Sequence, residues 1–292
     1  MTTKTVRKAV LPVAGLGTRV LPATKVMPKE ILPVFDRPAI HYVMAEAKAA
    51  GIEHFVFVTG RNKAAIEDYF DSAFELEETL RAKGKTDQLD TLRADLPEPG
   101  ACSFVRQQAP RGLGHAVWCA RDVVGDEPFA VLLPDMLMMS DPPCLAQMTA
   151  AHAEVGGNLL SVEEVPAEDV SKYGIIAPGV QRGNLVEMTG MVEKPAMEDA
   201  PSRFMISGRY ILQPEIFELL ERQKPGAGGE IQLTDAMHAL MRESAFHALP
   251  FTGRTYDTGS KQGYLEAFAA FALADAEHGR DSRAVLEALL KR

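Results

Sequence analysis

Short apolar runs alternate with longer segments of helical spacing along the N-terminal part of the chain, and that alternation leaves few folds open. "KAVLPVAG" precedes "AIHYVMAEAKAAG", and "HFVFVTG" precedes "NKAAIEDYF". Such alternation reads as successive strand–helix units on a mainly parallel sheet. Gly51 ends the first helical segment where a left-handed cap belongs, and Asn62 is placed to cap the next. Pro12 lies inside the first apolar run, so that strand is expected to give way to loop around residue 13. Further strands are expected at "CSFVRQ", "FAVLLPD", "NLLSVEEV", "FMISGRYIL" and "FHALPF". Helices are expected near 72–93, 115–124, 143–155, 214–222, 230–243, 260–277 and 282–291. The class is α/β, with a mixed, mainly parallel central sheet flanked by helices.

With 292 residues, 46% hydrophobic and 24% charged, the chain has the composition of an ordinary soluble globular protein and the length of one large α/β domain or two modest ones. There is no internal repeat and no low-complexity linker. The most loop-like stretch, "QKPGAGGE" from Gln223 to Glu230, introduces a helix and does not separate domains. The reading is one domain over 1–292, with a helical tail from about 260. A net charge of -9 and a pI near 5.4 argue against nucleic-acid binding, which needs a surplus of cations over a face. Local cation clusters therefore point to a small anionic ligand. Cys102, Cys119 and Cys144 are odd in number and lack C-x-x-C spacing, which fits a reduced cytosol better than a disulfide framework or a zinc knuckle. The N-terminus has cations without the apolar core of a signal peptide, and no apolar run has the length of a membrane span. A cytoplasmic protein without membrane partners is expected.

"PVAGLGTRVLPATKVMPKEILPVFDRPAI", Pro12 to Ile40, begins as a nucleotide loop and then refuses to continue as a helix. Gly15 and Gly17 give G-x-G, but the third glycine of a dinucleotide fingerprint is absent, and Pro22, Pro28 and Pro33 interrupt the segment beyond it. Backbone N–H groups of a glycine turn can face one concavity and bind an anion; Arg19, Lys25 and Lys29 bring positive charge to the same segment. A polyphosphate suits that geometry. A second glycine turn, "GLGHAV", follows a strand that closes on Gln107 and opens a helix, so it too belongs at the carboxyl rim of the sheet, where α/β proteins bind ligands. His115, in the first turn of that helix, reads as a packing or hydrogen-bonding residue and not as a nucleophile.

"FAVLLPD" describes a buried strand delivering Asp135 to its exposed carboxyl end. Magnesium needs only one or two protein carboxylates when phosphates and water fill its octahedron. The next residue is Met136, so a second carboxylate must come from elsewhere, and Asp257 in "TYDTGS" is the best placed. "MVEKP" sets Glu193 beside Lys194 at the end of an extended run, where a turn at Pro195 can offer a carboxylate to sugar hydroxyls and an ammonium to a sugar phosphate. Gly174 in "SKYGII" and Gly208 in "SGRYIL" mark places where backbone can approach a ligand closely.

In this order, G-L-G-T-R-x-L-P-A-T-K, P-K-E-I-L-P-V, G-L-G-H-A-V, L-P-D, V-E-K-P, G-E-I-Q-L-T-D-A and Y-D-T-G-S resemble the bacterial UTP–glucose-1-phosphate uridylyltransferases, also called UDP-glucose pyrophosphorylases. The match runs from about Lys8 to Phe271. The resemblance implies a glycosyltransferase-A-like, Rossmann-related nucleotidyltransferase fold, dependence on Mg2+, and conversion of UTP and glucose 1-phosphate to UDP-glucose and pyrophosphate. It also implies a homo-oligomer, a tetramer or a dimer. Carried over residue by residue, it sets the uracil against Ala14, Gly15, Glu30, Gln107 and Gly112, with Glu30 accepting the ring N3–H. The phosphates lie against Gly17, Thr18, Arg19 and Lys29, the metal on Asp135 and Asp257, and glucose 1-phosphate against Gly174, Glu193, Lys194 and Gly208. Arg19, Lys29, Asp135 and Lys194 are expected to carry the chemistry. Many relatives have a second acidic residue after the L-P-D aspartate, and Met136 departs from that pattern.

The attacking sugar phosphate, with a second pKa of about 6, is largely dianionic at pH 7 and needs no general base. None stands out in the sequence. Three rival readings fit less well. A thymidylyltransferase on the same sugar phosphate shares the fold and the G-T-R loop, yet P-K-E and GLGHAV resemble the uridylyl class more closely. A nicotinamide oxidoreductase lacks the third glycine and an acidic residue after "HFVFVTGRN". A non-catalytic sugar-nucleotide sensor would have no need of Asp135.

Overall fold

The computed structural model describes residues 4–94 and 96–291, so Asp95 and the extreme termini of the expected 1–292 domain lie outside the described residues. In chain order the strands are β1 (Lys8–Pro12), β2 (Pro33–Val34), β3 (Arg37–Pro38), β4 (His54–Thr59), β5 (Cys102–Arg106), β6 (Phe129–Leu132) and β7 (Met136–Met139). They continue as β8 (Asn158–Glu164), β9 (Gly174–Arg182), β10 (Leu185–Glu193), β11 (Phe204–Leu212), β12 (Phe246–Pro250) and β13 (Arg254–Asp257). Nine of them form one sheet in the order β5-β4-β1-β6-β11-β8-β12-β10-β9.

The expected predominance of parallel pairing holds only for the first half. β5, β4, β1 and β6 are mutually parallel, as strand–helix units dictate, and β12 is parallel to β8. Every other pairing is antiparallel: β6 with β11, β11 with β8, β12 with β10, and β10 with β9. A further contact, Met205 with Ile175, joins β11 to β9, so the last five strands curl back on themselves like a partial barrel. For β9 and β10 the physical reason is their hairpin. Its Gly183–Asn184 connection, with Gly183 at φ 64, is too short for the crossover that parallel strands need.

Alternation along the strands creates two cores. Ala9, Leu11, Phe55, Phe57, Ala130 and Leu132 face one core, beneath the helices Ala39–Ala49 and Cys144–Val155. Val10, Val56, Val58, Phe129 and Val131 face the other, beneath Leu113–Cys119, Ile216–Arg222 and Leu233–Leu240. Helices thus cover both faces, which explains why these strands read as continuous apolar runs.

Pro12 is the last residue of β1, as expected. Val13 donates to Val58 in β4, so the preceding peptide nitrogen faces β6, where pairing has already stopped at Val10. Proline's missing N–H costs no ladder bond there. Gly51 is left-handed at φ 85, in agreement with a helix cap. Asn62 is not a cap: it adopts φ 64 ahead of a helix that runs Ala64–Tyr69 with no side-chain cap bond. The helix expected over 72–93 is two, Phe74–Ala82 and Thr86–Ala94. Gly84 at φ 65 divides them, and Lys85 N–H closes back onto Leu80 O at 3.0 Å, a glycine-terminated helix end. The helix expected over 115–124 likewise divides into Leu113–Cys119 and Arg121–Val124. No helix among the described residues is long and apolar enough to cross a membrane.

Candidate active-site cleft

β1 has β4 on one side and β6 on the other, so the connections leaving the carboxyl ends of β1 and β6 diverge and open a crevice between them. Two adjoining cavities fill that crevice, and both are bordered by Leu113, Leu133 and Asp135. The first, about 430 Å³, is lined by Ala14, Gly15, Leu16, Thr18, Lys29, Gln107, Pro110, Gly112 and Glu230, among others. The second, about 480 Å³, is bordered by Arg19, Lys172, Tyr173, Gly174, Glu193, Lys194, Gln232, Thr234 and Asp257. Of the residues assigned to the nucleotide, Ala14, Gly15, Thr18, Lys29, Gln107 and Gly112 line the first chamber, whereas Arg19 lines the second with Gly174, Glu193 and Lys194, and Asp135 stands at the join.

At that join the charges alternate. Lys29 Nζ lies 2.5 Å from Asp135 Oδ2, and Arg19 reaches Asp135 at 3.5 Å and Asp257 at 3.4 Å. Burial alone would raise the Asp135 carboxyl, but Lys29 and Arg19 outweigh it and hold it below the usual carboxylate range. Burial likewise works against the Lys29 charge, and Asp135 and Glu30 outweigh it, holding the ammonium above the ordinary lysine value. Both groups therefore stay charged at neutral pH. Asp257 is delivered by β13, which pairs with β7 so that Asp257 stands opposite Met136. The residue after Asp135 is thus the ribbon partner of the second carboxylate, and Thr258 ties the two together by donating N–H (2.8 Å) and Oγ1–H (3.0 Å) to Asp135 O.

Gly259 is a site residue that sequence reasoning overlooked, although Y-D-T-G-S contains it. A Cβ there would lie 2.8 Å from Asp257 Oδ1 and 2.9 Å from Asp135 Oδ2, and would collide with the Arg19 guanidinium. Only glycine leaves the space on which the two carboxylates converge.

In the nucleotide chamber, Gln107 Nε2 donates to Gly112 O at 3.1 Å and faces His115 Nδ1 at 3.0 Å. Burial, then Arg111, keep the His115 imidazole below its usual pKa, so it is neutral at pH 7 with a ring nitrogen able to accept. With the amide hydrogens so directed, the side-chain carbonyl is the group Gln107 can offer a ligand. His115 is a partner of Gln107, stacked near Trp118, and not a nucleophile. Gly112, at φ 102, and Gly114 would both collide with Ile231 O if they carried a Cβ, so the second glycine turn docks the 230–232 segment as well as lining the chamber. Gly17 does not line it; at φ 65 it makes the turn, and its carbonyl accepts from Thr24 Oγ1 at 2.7 Å.

Two further assignments need correcting. Glu30 does not line the chamber: its side chain is fully buried behind the loop, 2.8 Å from Lys63 Nζ. It belongs to the short 3-10 turn Lys29–Ile31, in which successive residues diverge, so Lys29 faces the cleft while Glu30 faces the interior. Gly208 does not line the sugar chamber either. It sits at φ 87 in a register shift of β11, where a Cβ would meet Met136 at 2.9 Å, and its carbonyl accepts from Leu133 N–H at 2.9 Å. Its role is to let the Leu133–Asp135 segment pack close.

The sugar chamber keeps Gly174, Glu193 and Lys194. Glu193 accepts from Thr234 Oγ1 at 2.7 Å, and Lys194, in a left-handed conformation at φ 47, donates its backbone N–H to Tyr173 O at 3.0 Å. Thr234 and Gln232, from G-E-I-Q-L-T-D-A, carry no role that the sequence alone reveals; the structure brings both to the cavity wall.

The nucleotidyl transferase model matches residues 8–273. The chain belongs to the nucleotidyl transferase family. Within it, a Staphylococcus epidermidis UTP–glucose-1-phosphate uridylyltransferase is 46% identical over 288 residues, covering 98% of this chain and 99% of its own length. The structure of a UTP-bound UDP-glucose pyrophosphorylase from Acinetobacter baumannii superposes with a TM-score of 0.89 at 44% identity, covering 96% of this chain and 98% of that one. A UDP-glucose pyrophosphorylase complexed with UDP-glucose aligns with a TM-score of 0.81 at 43% identity, over 91% of this chain and 98% of that one. This nucleotidyl transferase therefore stands among the bacterial UTP–glucose-1-phosphate uridylyltransferases, as the motif order implied.

Proposed function

We propose that this chain converts UTP and glucose 1-phosphate to UDP-glucose and pyrophosphate by direct in-line attack of the sugar phosphate on the α-phosphorus. The observation that carries this reading is the pair of adjoining chambers meeting at Asp135, one rimmed by the two glycine turns and the other by Glu193 and Lys194. Reacting groups held in neighbouring sites turn a bimolecular step into an effectively unimolecular one. Uracil fits the first chamber because its N3–H donor meets the carbonyl of Gln107, whereas cytosine presents an acceptor at that position. Glu193, fixed by Thr234, accepts from a sugar hydroxyl, and the exposed Lys194 ammonium pairs with the sugar phosphate.

Magnesium fits the donor set. Asp135 and Asp257 direct one oxygen each at the same point beside Gly259, and phosphate oxygens and water complete a magnesium shell that has only one or two carboxylates. Asp135 and Asp257 would hold magnesium, which would supply positive charge to the phosphates. Lys29 and Arg19 add fixed cations at the same place, and the retained charge of Lys29 suits it to stabilise negative charge on departing pyrophosphate. The dianionic sugar phosphate is nucleophile enough, so no side chain has to take a proton. The assembly is expected to work as a homodimer or homotetramer in the cytoplasm.

Pyrophosphate release is to be measured with each nucleoside triphosphate and each sugar 1-phosphate, with and without Mg2+. UTP with glucose 1-phosphate and metal should far exceed other pairs; preference for dTTP would favour the thymidylyl reading. Asp135→Asn should abolish release, and near-normal turnover would reject the metal assignment. UTP made chiral with sulfur at the α-phosphorus should react with inversion. Retention would require a covalent enzyme intermediate.

A further inference from the structure

Glu30 and Lys63 form an ion pair with side chains 0% and 7% exposed, one residue from the cleft-facing Lys29. Lys63 comes from the turn after β4 and Glu30 from the 3-10 turn that carries Lys29. Glu30 Oε2 receives Lys63 Nζ at 2.8 Å, while Oε1 is buried and without a hydrogen-bond partner among the described residues. A half-satisfied buried carboxylate is costly, and an ion pair of this kind adds little net stability over well-packed apolar residues. Stability is therefore a poor explanation for it.

Position is a better one. The pair lies beside a second run of alternating charges, Lys29, Asp135, Arg19 and Asp257, and the Glu30 carboxylate acts on the Lys29 ammonium through space, without a direct ion pair. The turn Lys29–Ile31 is closed by backbone bonds alone, Ile31 N–H to Pro28 O at 3.0 Å and Leu32 N–H to Lys29 O at 3.2 Å, with no side-chain cap bond. The Lys63 ammonium clamps Glu30 inward, and because neighbouring residues of a 3-10 turn point about 120° apart, fixing Glu30 fixes where Lys29 points. We infer that Lys63 and Glu30 are positioning residues for Lys29, holding its ammonium on the phosphate side of the cleft. This rests on the uridylyltransferase reading given above. Burial, and to a smaller extent Lys29, hold the Lys63 ammonium below the ordinary lysine value against the opposing pull of Glu30.

A double-mutant cycle tests it, with pyrophosphate release from UTP and glucose 1-phosphate as the assay and urea unfolding as the control. Lys63→Met should lower kcat roughly 10- to 100-fold, the scale of a misplacement of about 1 Å, with KM for glucose 1-phosphate within about threefold. In a Lys29→Met background the same change should cost less than about twofold, since nothing remains to be positioned. Lys63→Arg should recover most of kcat. The double variant Glu30→Gln with Lys63→Met removes both charges, so it should regain stability lost by Lys63→Met alone without regaining kcat. Additive losses in the Lys29→Met background, or recovery of kcat together with stability in the double variant, would overturn the inference. A wild-type chain inactive on UTP and glucose 1-phosphate would instead sink the functional reading on which it rests.

Discussion

At the scale of single residues, Gly259 has little latitude. Its absent Cβ is the space shared by Asp135, Asp257 and Arg19. Gly259→Ala should therefore leave the fold intact and reduce turnover roughly 100-fold, by the same misplacement argument; pyrophosphate release and a circular dichroism spectrum check the two halves. An active Ala variant would mean that the carboxylates need not converge. Thr234 makes a different kind of contribution, since its hydroxyl only orients Glu193. A hydrogen bond to a charged acceptor contributes about 1.5–3 kcal/mol. Thr234→Val should raise KM for glucose 1-phosphate by roughly tenfold or more on that scale, leaving KM for UTP unchanged. Initial-rate kinetics with each substrate varied would separate the two constants.

At the scale of elements, the segment that presents Asp135 is held from beneath by β11. Arg209, wholly buried, pairs with Glu46 at 2.8 Å and donates to Leu133 O at 3.2 Å, while Glu46 also accepts from Leu145 N–H. Arg209→Met strands Glu46 as an unpaired buried charge and should cost about 3–5 kcal/mol, read from urea unfolding. Adding Glu46→Leu should return much of that loss, because both charges are then gone. Neither residue announced itself in the sequence, where Arg209 stands in an apolar run and Glu46 in an ordinary helical pattern. The same limit explains the other discrepancies. Strands buried on both faces, such as β4 and β6, were legible because nearly every residue in them is apolar. β9 was not, since its second half is exposed and carries Pro178 and Gly179. Motif order pointed to Asp135, Gln107 and Glu193, which line the cavities because each ends or follows a strand at the rim. It could not place Glu30, because a short turn gives no sequence sign of which residue faces in.

At the scale of the whole molecule, acid should loosen the fold before its carboxylates titrate. His152, His115 and His54 each have a pKa lowered by burial first; Arg111 and Lys8 add to the effect at His115 and His54, and a backbone bond at Gly157 opposes it at His152. The folded protein therefore binds fewer protons than the unfolded chain between the lowered values and the ordinary histidine value of about 6.5. Stability rises with pH wherever the unfolded state binds more protons, so these three groups contribute fully above that value and the contribution is lost as pH falls below it. Asp135 acts in the same direction but only in the lower, carboxylate range, while Glu30, raised by burial against the pull of Lys63, acts oppositely there. His152 is the test case, being the most deeply buried of the three at 2% exposure, with Gln213 Nε2 beside its ring. The urea midpoint of the wild-type chain should fall between pH 7.5 and 5.5. His152→Gln should flatten that slope by up to one proton's share, about 1.4 kcal/mol per pH unit, even if the variant is less stable at pH 7.5. Equal slopes in the two proteins would show that His152 takes up its proton without leaving the core.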